Sequence, residues 1–337
     1  METRCVPHSH FSESPDHLAL SLRILSAVSL PIHIYGFICL LLKCPDVLKS
    51  SKWNLFHLHC TTVLCHYSLN LLVEPCLLLP AMAGFPLGIL NNLELGSELQ
   101  TYILIVVFAL MGISTVALFE SRLHVLFATH RYLWGKGRKW WLAAHYVFVL
   151  VVLLVSRFDT PDQEASRKLL FQTFPCLTRS VHAAPVFVLS VDLSFLVIAA
   201  TIFVLIIASE IVFFSMIILL LSAEKLQSGG MSPETFRSQN IVFLKLSLQV
   251  VIPLVTLIVP LSYSVFSIGL NYHNQSLNNF LVVFVASTHG IVSSLILVFA
   301  YDPFRKIFFS CFELEIPDSQ MGFRRRAPRP VVSVNLV

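Results

Sequence analysis

Three residues at helical spacing interrupt one apolar run: His66, Asn70 and Glu74. Positions i, i+4 and i+8 share one helix face, and ionisable or amide groups in such a run are costly unless they meet partners. The stripe therefore faces protein, where it either lines a ligand cavity or hydrogen-bonds to neighbouring helices. His289 and Ser293 repeat the i, i+4 pattern nearer the C-terminus, with the same two readings. Glu120 and Arg122 are two residues apart. They point to different faces, so each calls for a partner on another element. Lys245 is a candidate partner for Glu120, and a charge pair that parts when helices move is a two-state switch. Arg122 alternatively reaches up to lipid headgroups. Pro253 and Pro260 fall in a further apolar run, where each removes a backbone hydrogen bond and is expected to kink the helix. The kink either makes Pro253 part of a switch by letting the inner end swing or is routine in a membrane helix. Glu210 is a lone acid in mid-run, with no partner evident in the sequence.

This inventory suits recognition rather than catalysis. No HExxH, glycine-rich phosphate loop or nucleophile elbow occurs. The eight cysteines show no CxxC pair and no zinc spacing, and His57 and His59 project to different faces. No catalytic residue, metal or cofactor is expected.

The elements that hold these residues follow from composition. The 337 residues are 56% hydrophobic and only 12% charged, against about 25% charged in a soluble globular domain. Mean hydropathy is +0.77. Lipid must cover much of such a surface. Seven runs approach the roughly 20 residues that a membrane-crossing helix needs: Leu18–Leu42, Trp53–Leu79, Thr101–Ala128, Trp140–Ser156, Ser194–Ser222, Ile241–Ile268 and Phe280–Tyr301. Barrel strands would alternate in polarity, and these runs do not. The expected fold is an all-α integral membrane protein, a seven-transmembrane helix bundle.

Charge sets the expected orientation. Lys43, Lys49 and Lys52, then Arg131, Lys136, Arg138 and Lys139, then Lys225 and Arg237 fall in alternate connections, with six further basic residues in the tail. The opposite connections hold few. Basic loops stay cytoplasmic, so the N-terminus is expected outside and the C-terminus inside. That divides the chain into an outer N-terminus (1–17), a seven-transmembrane domain (18–301) and a cytoplasmic tail (302–337). The first apolar run is too long, and its polar leader too acidic, for a cleaved signal peptide. Asn274-Gln275-Ser276 is either a glycosylation acceptor in the last outer loop or a chance triplet. Cys5, Cys76 and Cys176 are disulfide candidates at the same face, with a free thiol the equal alternative for Cys176. Asp302–Phe312 has the pattern of a short helix lying on the inner leaflet.

Segments spread over most of the chain resemble the nematode serpentine chemoreceptors of class H (Srh). They include Leu30-Pro31-Ile32-His33, Lys52-Trp53-Asn54-Leu55 with His59, Phe85-Pro86-Leu87-Gly88, and Phe119-Glu120-Ser121-Arg122. Phe174-Pro175-Cys176-Leu177, Gln249 with Pro253, His289-Gly290 with Ser293 and Ser294, and Pro303-Phe304-Arg305 continue the series in order. Ser121 stands where the family usually has Asn, and Asp302-Pro303-Phe304-Arg305 replaces the usual Pro-Tyr-Arg. The resemblance implies a G protein-coupled receptor in the plasma membrane of sensory-neuron cilia. It would bind a small molecule outside and activate a heterotrimeric G protein inside, with Glu120 and Arg122 in the switch region and no nucleic-acid partner. A small-solute transporter is the alternative, although the chain lacks the inverted repeats common in transporters. A membrane-embedded enzyme would need clustered catalytic groups at one depth, and the histidines are dispersed.

Overall fold

Pro15 opens α1 (Pro15–Leu42), where its missing N–H removes no helical bond. The computed structural model describes residues 11–44, 49, 51–126, 131–175, 177, 179–191 and 195–311. After α1 come α2 (Lys52–Tyr67), the short α3 (Ile89–Asn92), α4 (Ser97–Leu126) and α5 (Arg131–Asp159). Then follow α6 (Gln163–Thr173), α7 (Arg179–Ala183), α8 (Phe195–Gln227) and α9 (Pro233–Gly269). A last membrane segment strings together α10 (Gln275–Leu277), a π-helical stretch Asn278–Val285 and α11 (His289–Ala300). The chain then turns into α12 (Asp302–Cys311).

Among the described residues, six helical segments are long and apolar enough to cross a membrane: α1, α4, α5, α8, α9 and Gln275–Ala300. The seventh is α2, whose 16 α-helical residues run on into a π turn at Ser68–Leu72. Surface polarity is inverted, as lipid demands. Leu20, Ile24 and Val28 on α1 and Leu205, Val212 and Leu220 on α8 are exposed, whereas Ser29, His33, His59, His66, Asn70 and His289 are buried.

Several expected boundaries change. The second apolar run is expected to stay helical to Leu79, but its helix ends at Leu72. Glu74 takes a left-handed φ of 47°, and Pro75 has no N–H with which to continue a helix. The chain then forms β1 (Pro75–Leu77), which pairs antiparallel with β2 (Ala83–Pro86), and β2 pairs antiparallel with β3 (Phe187–Val188). So the fold is helical in the membrane with a small sheet at one end, the outer end in the expected orientation. In the register Cys76 faces Phe85 and Gly84 faces Phe187. Gln163 closes the free edge of β3, its Nε2 donating to the Val188 carbonyl (3.0 Å) and its Oε1 accepting from the Val188 N–H (2.9 Å). The fourth helix, expected from Trp140, begins at Arg131. The helix expected to be interrupted by Pro253 and Pro260 remains one element, α9, with Ser264 Oγ donating to the Pro260 carbonyl at 2.9 Å. The side chain of Pro253 lies outside the described residues.

Under the sheet, Leu18, Leu22, Cys76, Phe85, Val186 and Val283 form one apolar cluster. At the inner end Leu40, Leu55, Leu118, Leu246, Leu297 and Phe304 form another. The bundle is thus closed by packed side chains at both ends.

Candidate ligand cavity and switch region

His66 and Glu74 of the stripe are spent on contacts with other elements, whereas Asn70 bonds mainly within its own helix and its buried Oδ1 has no partner among the described residues. The Nδ1–H of His66 donates to the Ser287 carbonyl (3.0 Å), and its Nε2 meets Ser29 Oγ (2.7 Å). These contacts tie α2 to the last segment and to α1. Asn70 Nδ2 donates to the His66 carbonyl (2.7 Å), and the Asn70 carbonyl accepts from Ser26 Oγ (3.2 Å). Glu74 takes a two-point grip from Arg23, at 2.8 Å from Nε and 2.9 Å from Nη2. The three residues were expected on one face. The π turn at Ser68–Leu72 and the helix end place Glu74 apart, at the outer mouth. None of the three lines the large cavity described below.

Two residues that the spacing argument passed over complete this polar seam. His33 Nδ1 meets Ser294 Oγ at 2.8 Å, and His59 Nε2 donates to the His33 carbonyl at 3.2 Å. Both lie in the Pro-Ile-His and Lys-Trp-Asn segments, where the signal was one of family and not of spacing. Glycines let the seam close: a Cβ on Gly36 would stand 2.7 Å from His59 Nε2, and one on Gly290 only 2.6 Å from His66 Cβ.

The cavity, about 580 Å³, lies between α2, α4, α5, α8, α9 and the last segment. Ligand pockets span about 300–1,000 Å³. Its walls are apolar, among them Phe108, Phe148, Phe203, Val152 and Leu261, and Pro75 and Leu77 of β1 stand at its outer end. The polar side chains on its lining are Thr62, Thr115, Gln249, Ser264, His289 and Ser293. Of the five ligand-binding candidates from the sequence, His289 and Ser293 are therefore brought to the cavity. Gln249 and Thr62 join them.

The inner end holds the switch candidates. Glu120 is expected to seek Lys245, but the structure pairs it with α5: Arg138 Nη2 donates to one oxygen (2.7 Å) and Trp134 Nε1 to the other (2.8 Å). The reason is the early start of α5, which brings Trp134 and Arg138 one turn apart onto a helix instead of leaving them in a loop. Lys245 meets Asp302 at 3.3 Å, and Asp302 also accepts from Arg305 at 2.7 Å. Asp302, where the chain departs from its family pattern, thus anchors both. Arg122 is 2% exposed, so it does not reach headgroups. Its Nη2 donates to Gln239 Oε1 at 3.2 Å, its Nε has no partner, and among the described residues no carboxylate pairs with it. Ser121 Oγ accepts from Asn54 at 2.7 Å. Glu210, without an evident partner in the sequence, accepts from Trp141 Nε1 and meets His145 Nε2, each at 3.0 Å.

At the outer face, Asn274 caps α10 by accepting from the Leu277 N–H at 3.0 Å. Cys76 is a buried free thiol beside Asn279 and Gln275, not half of a disulfide. Cys5 and Cys176 lie outside the described residues.

A seven-helix bundle with this polar seam can be set against known families. The model of the serpentine-type 7TM GPCR chemoreceptor Srh family matches residues 13–314. The chain belongs to the Srh family. Serpentine receptor class H-72 of Caenorhabditis elegans is 26% identical over 314 residues, which is 92% of this chain and 90% of the relative. No solved structure matches. The Srh match covers every membrane segment described above, from α1 to α12, and its receptor character agrees with a site built for binding.

Proposed function

We propose that this Srh chain is a chemosensory receptor of the plasma membrane, placed in sensory cilia, with its N-terminus outside. A small molecule occupies the cavity between α2, α4, α5, α8, α9 and the last segment, and the inner end couples to a heterotrimeric G protein. The observation that carries this reading is the cavity itself, an apolar chamber of about 580 Å³ under a sheet-covered mouth. Binding there acts through differential affinity for two arrangements of the bundle. Basic residues in the inner connections suit contact with an acidic membrane surface and partner. Glycosylation of Asn274 belongs to the same orientation, since it requires that loop to be outside.

The test is expression with a set of G proteins and a calcium or cAMP reporter under a panel of odorants. Evoked signals should appear and should disappear when Ala109→Trp, at a buried position of the lining, fills the cavity at equal surface level. Signals that persist in Ala109→Trp would move the ligand site elsewhere. Uptake of a labelled solute with no second-messenger response would favour a transporter. Epitope tags at the two ends should be reached from opposite sides of the membrane, and tags reached from one side would overturn the topology.

A further inference from the structure

Among the described residues that line the cavity there is no Asp, Glu, Lys or Arg. The charged pairs of the bundle lie elsewhere: Arg23–Glu74 at the mouth, Arg138–Glu120 at the inner end and the Glu210 site between α5 and α8. A carboxylate or ammonium bound there would leave water without a counter-charge, which is strongly unfavourable. Apolar walls favour apolar surface. The polar lining is also partly spent, since Thr115 Oγ1 donates to the Met111 carbonyl (2.9 Å) and Ser264 Oγ to the Pro260 carbonyl (2.9 Å).

His289 is different, as is Gln249, whose buried Oε1 also has no partner among the described residues. His289 is fully buried, and its ring centroid lies 6.4 Å from that of Phe108, which lines the opposite wall. Its Nδ1 is 2.8 Å from the Ala286 carbonyl. A carbonyl only accepts, so Nδ1 carries the hydrogen, and in the neutral ring Nε2 presents a lone pair. That Nε2 has no partner among the described residues. Ser293, one turn on, and Thr62 add hydroxyls to the same lining. A buried acceptor left unmade is costly, and a ligand group that donates to it relieves that cost.

We infer that the cavity takes an uncharged, mainly apolar molecule carrying a hydroxyl or comparable hydrogen-bond donor, which donates to His289 Nε2 while its hydrocarbon part fills the chamber. This rests on the cavity being the ligand site and specifies the class of compound that it selects.

Four photoreactive ten-carbon probes test it, identical except at one end: hydroxyl, methoxy, carboxylate or ammonium. Full-length receptor in lipid nanodiscs is labelled, competed with 1-decanol, and the cross-linked residues are mapped. The alcohol should label cavity residues such as Phe108, Phe203 and Leu261 saturably, with the other three about tenfold weaker or more. His289→Phe keeps a ring but loses the acceptor and should weaken alcohol labelling by about the same factor. If that variant does not fold, the four-probe comparison on the unaltered chain decides alone. Equal cavity labelling by the methoxy, carboxylate or ammonium probe would overturn the ligand class while leaving the cavity as the site. Failure of all four to label the cavity would overturn the class and remove support from the cavity reading as well.

Discussion

Arg138 donates to Glu120 across the α4–α5 boundary at 2.7 Å, while Trp134, one turn earlier on α5, holds the other carboxylate oxygen at 2.8 Å. Glu120 is 3% exposed at its side chain and Arg138 29%. Removing the cation leaves a buried carboxylate with the indole as its remaining donor. Breaking a fully buried pair costs about 3–5 kcal/mol. Solvent at Arg138 reduces that, and Arg138→Ala should lower stability by about 1–3 kcal/mol. Glu120→Gln, which keeps an acceptor and removes the charge, should lower it less. Melting of the purified receptor measures both, and an Arg138→Ala protein that melts with the parent would strip the pair of any stabilising role.

The glycines of the polar seam should be intolerant in a position-specific way. A methyl on Gly290 would press on His66 Cβ, close to the backbone, where no side-chain rotation gives room. Gly290→Ala should therefore destabilise by about 1–3 kcal/mol, the usual range for overpacking. Gly36→Ala, which presses on the His59 ring, should fall in the same range. Gly137 on α5 has nothing within 4 Å of such a methyl, and alanine there should be neutral or stabilising by up to about 1 kcal/mol. Equal melting of Gly290→Ala and Gly137→Ala would show that the seam is looser than described.

The contrast between those two glycines shows what was legible beforehand. Seven apolar runs and their basic connectors announce a bundle, because lipid selects hydrophobic stretches of a fixed length irrespective of detail. The sheet was not legible. Its strands are two to four residues long, and Glu74 ends its helix through a backbone angle that no periodicity encodes. His289 could be assigned to the bundle interior by its spacing, but the same spacing also selected His66, whose ring is consumed by Ser29 and Ser287. Which of two inward histidines meets a cavity depends on what the neighbouring helices set against each ring, and sequence spacing carries no such information. Glu120 was misassigned to Lys245 because Arg138 was read as a loop residue. A helix that begins nine residues before its apolar core moves every polar side chain in its first turns onto a face.

The Glu210 site offers a cleaner measure of coupling than either seam. Its carboxylate is shared between His145 and Trp141. His145→Phe leaves Glu210 short of one partner, and Glu210→Leu leaves His145 Nε2 without any. Each should cost about 1–3 kcal/mol, the cost of stranding a buried polar group. The double variant replaces both by apolar groups and should cost less than the two single losses added together. Strict additivity in the melting data would mean that the two side chains do not interact.

Arg122 separates stability from signalling. It is buried with one neutral acceptor, Gln239 Oε1 at 3.2 Å, and an unpartnered Nε. A cation so placed destabilises the arrangement that holds it, and an apolar residue of similar length is often neutral or stabilising in its stead. Arg122→Met should therefore melt at or above the temperature of the parent. If Arg122 serves the coupling step proposed above, the same protein at equal surface level should lose about tenfold or more of its evoked second-messenger response. The opposite pattern, a weaker fold with an intact response, would return Arg122 to a packing role and leave coupling to the Glu120 and Lys245 contacts at the same end of the bundle.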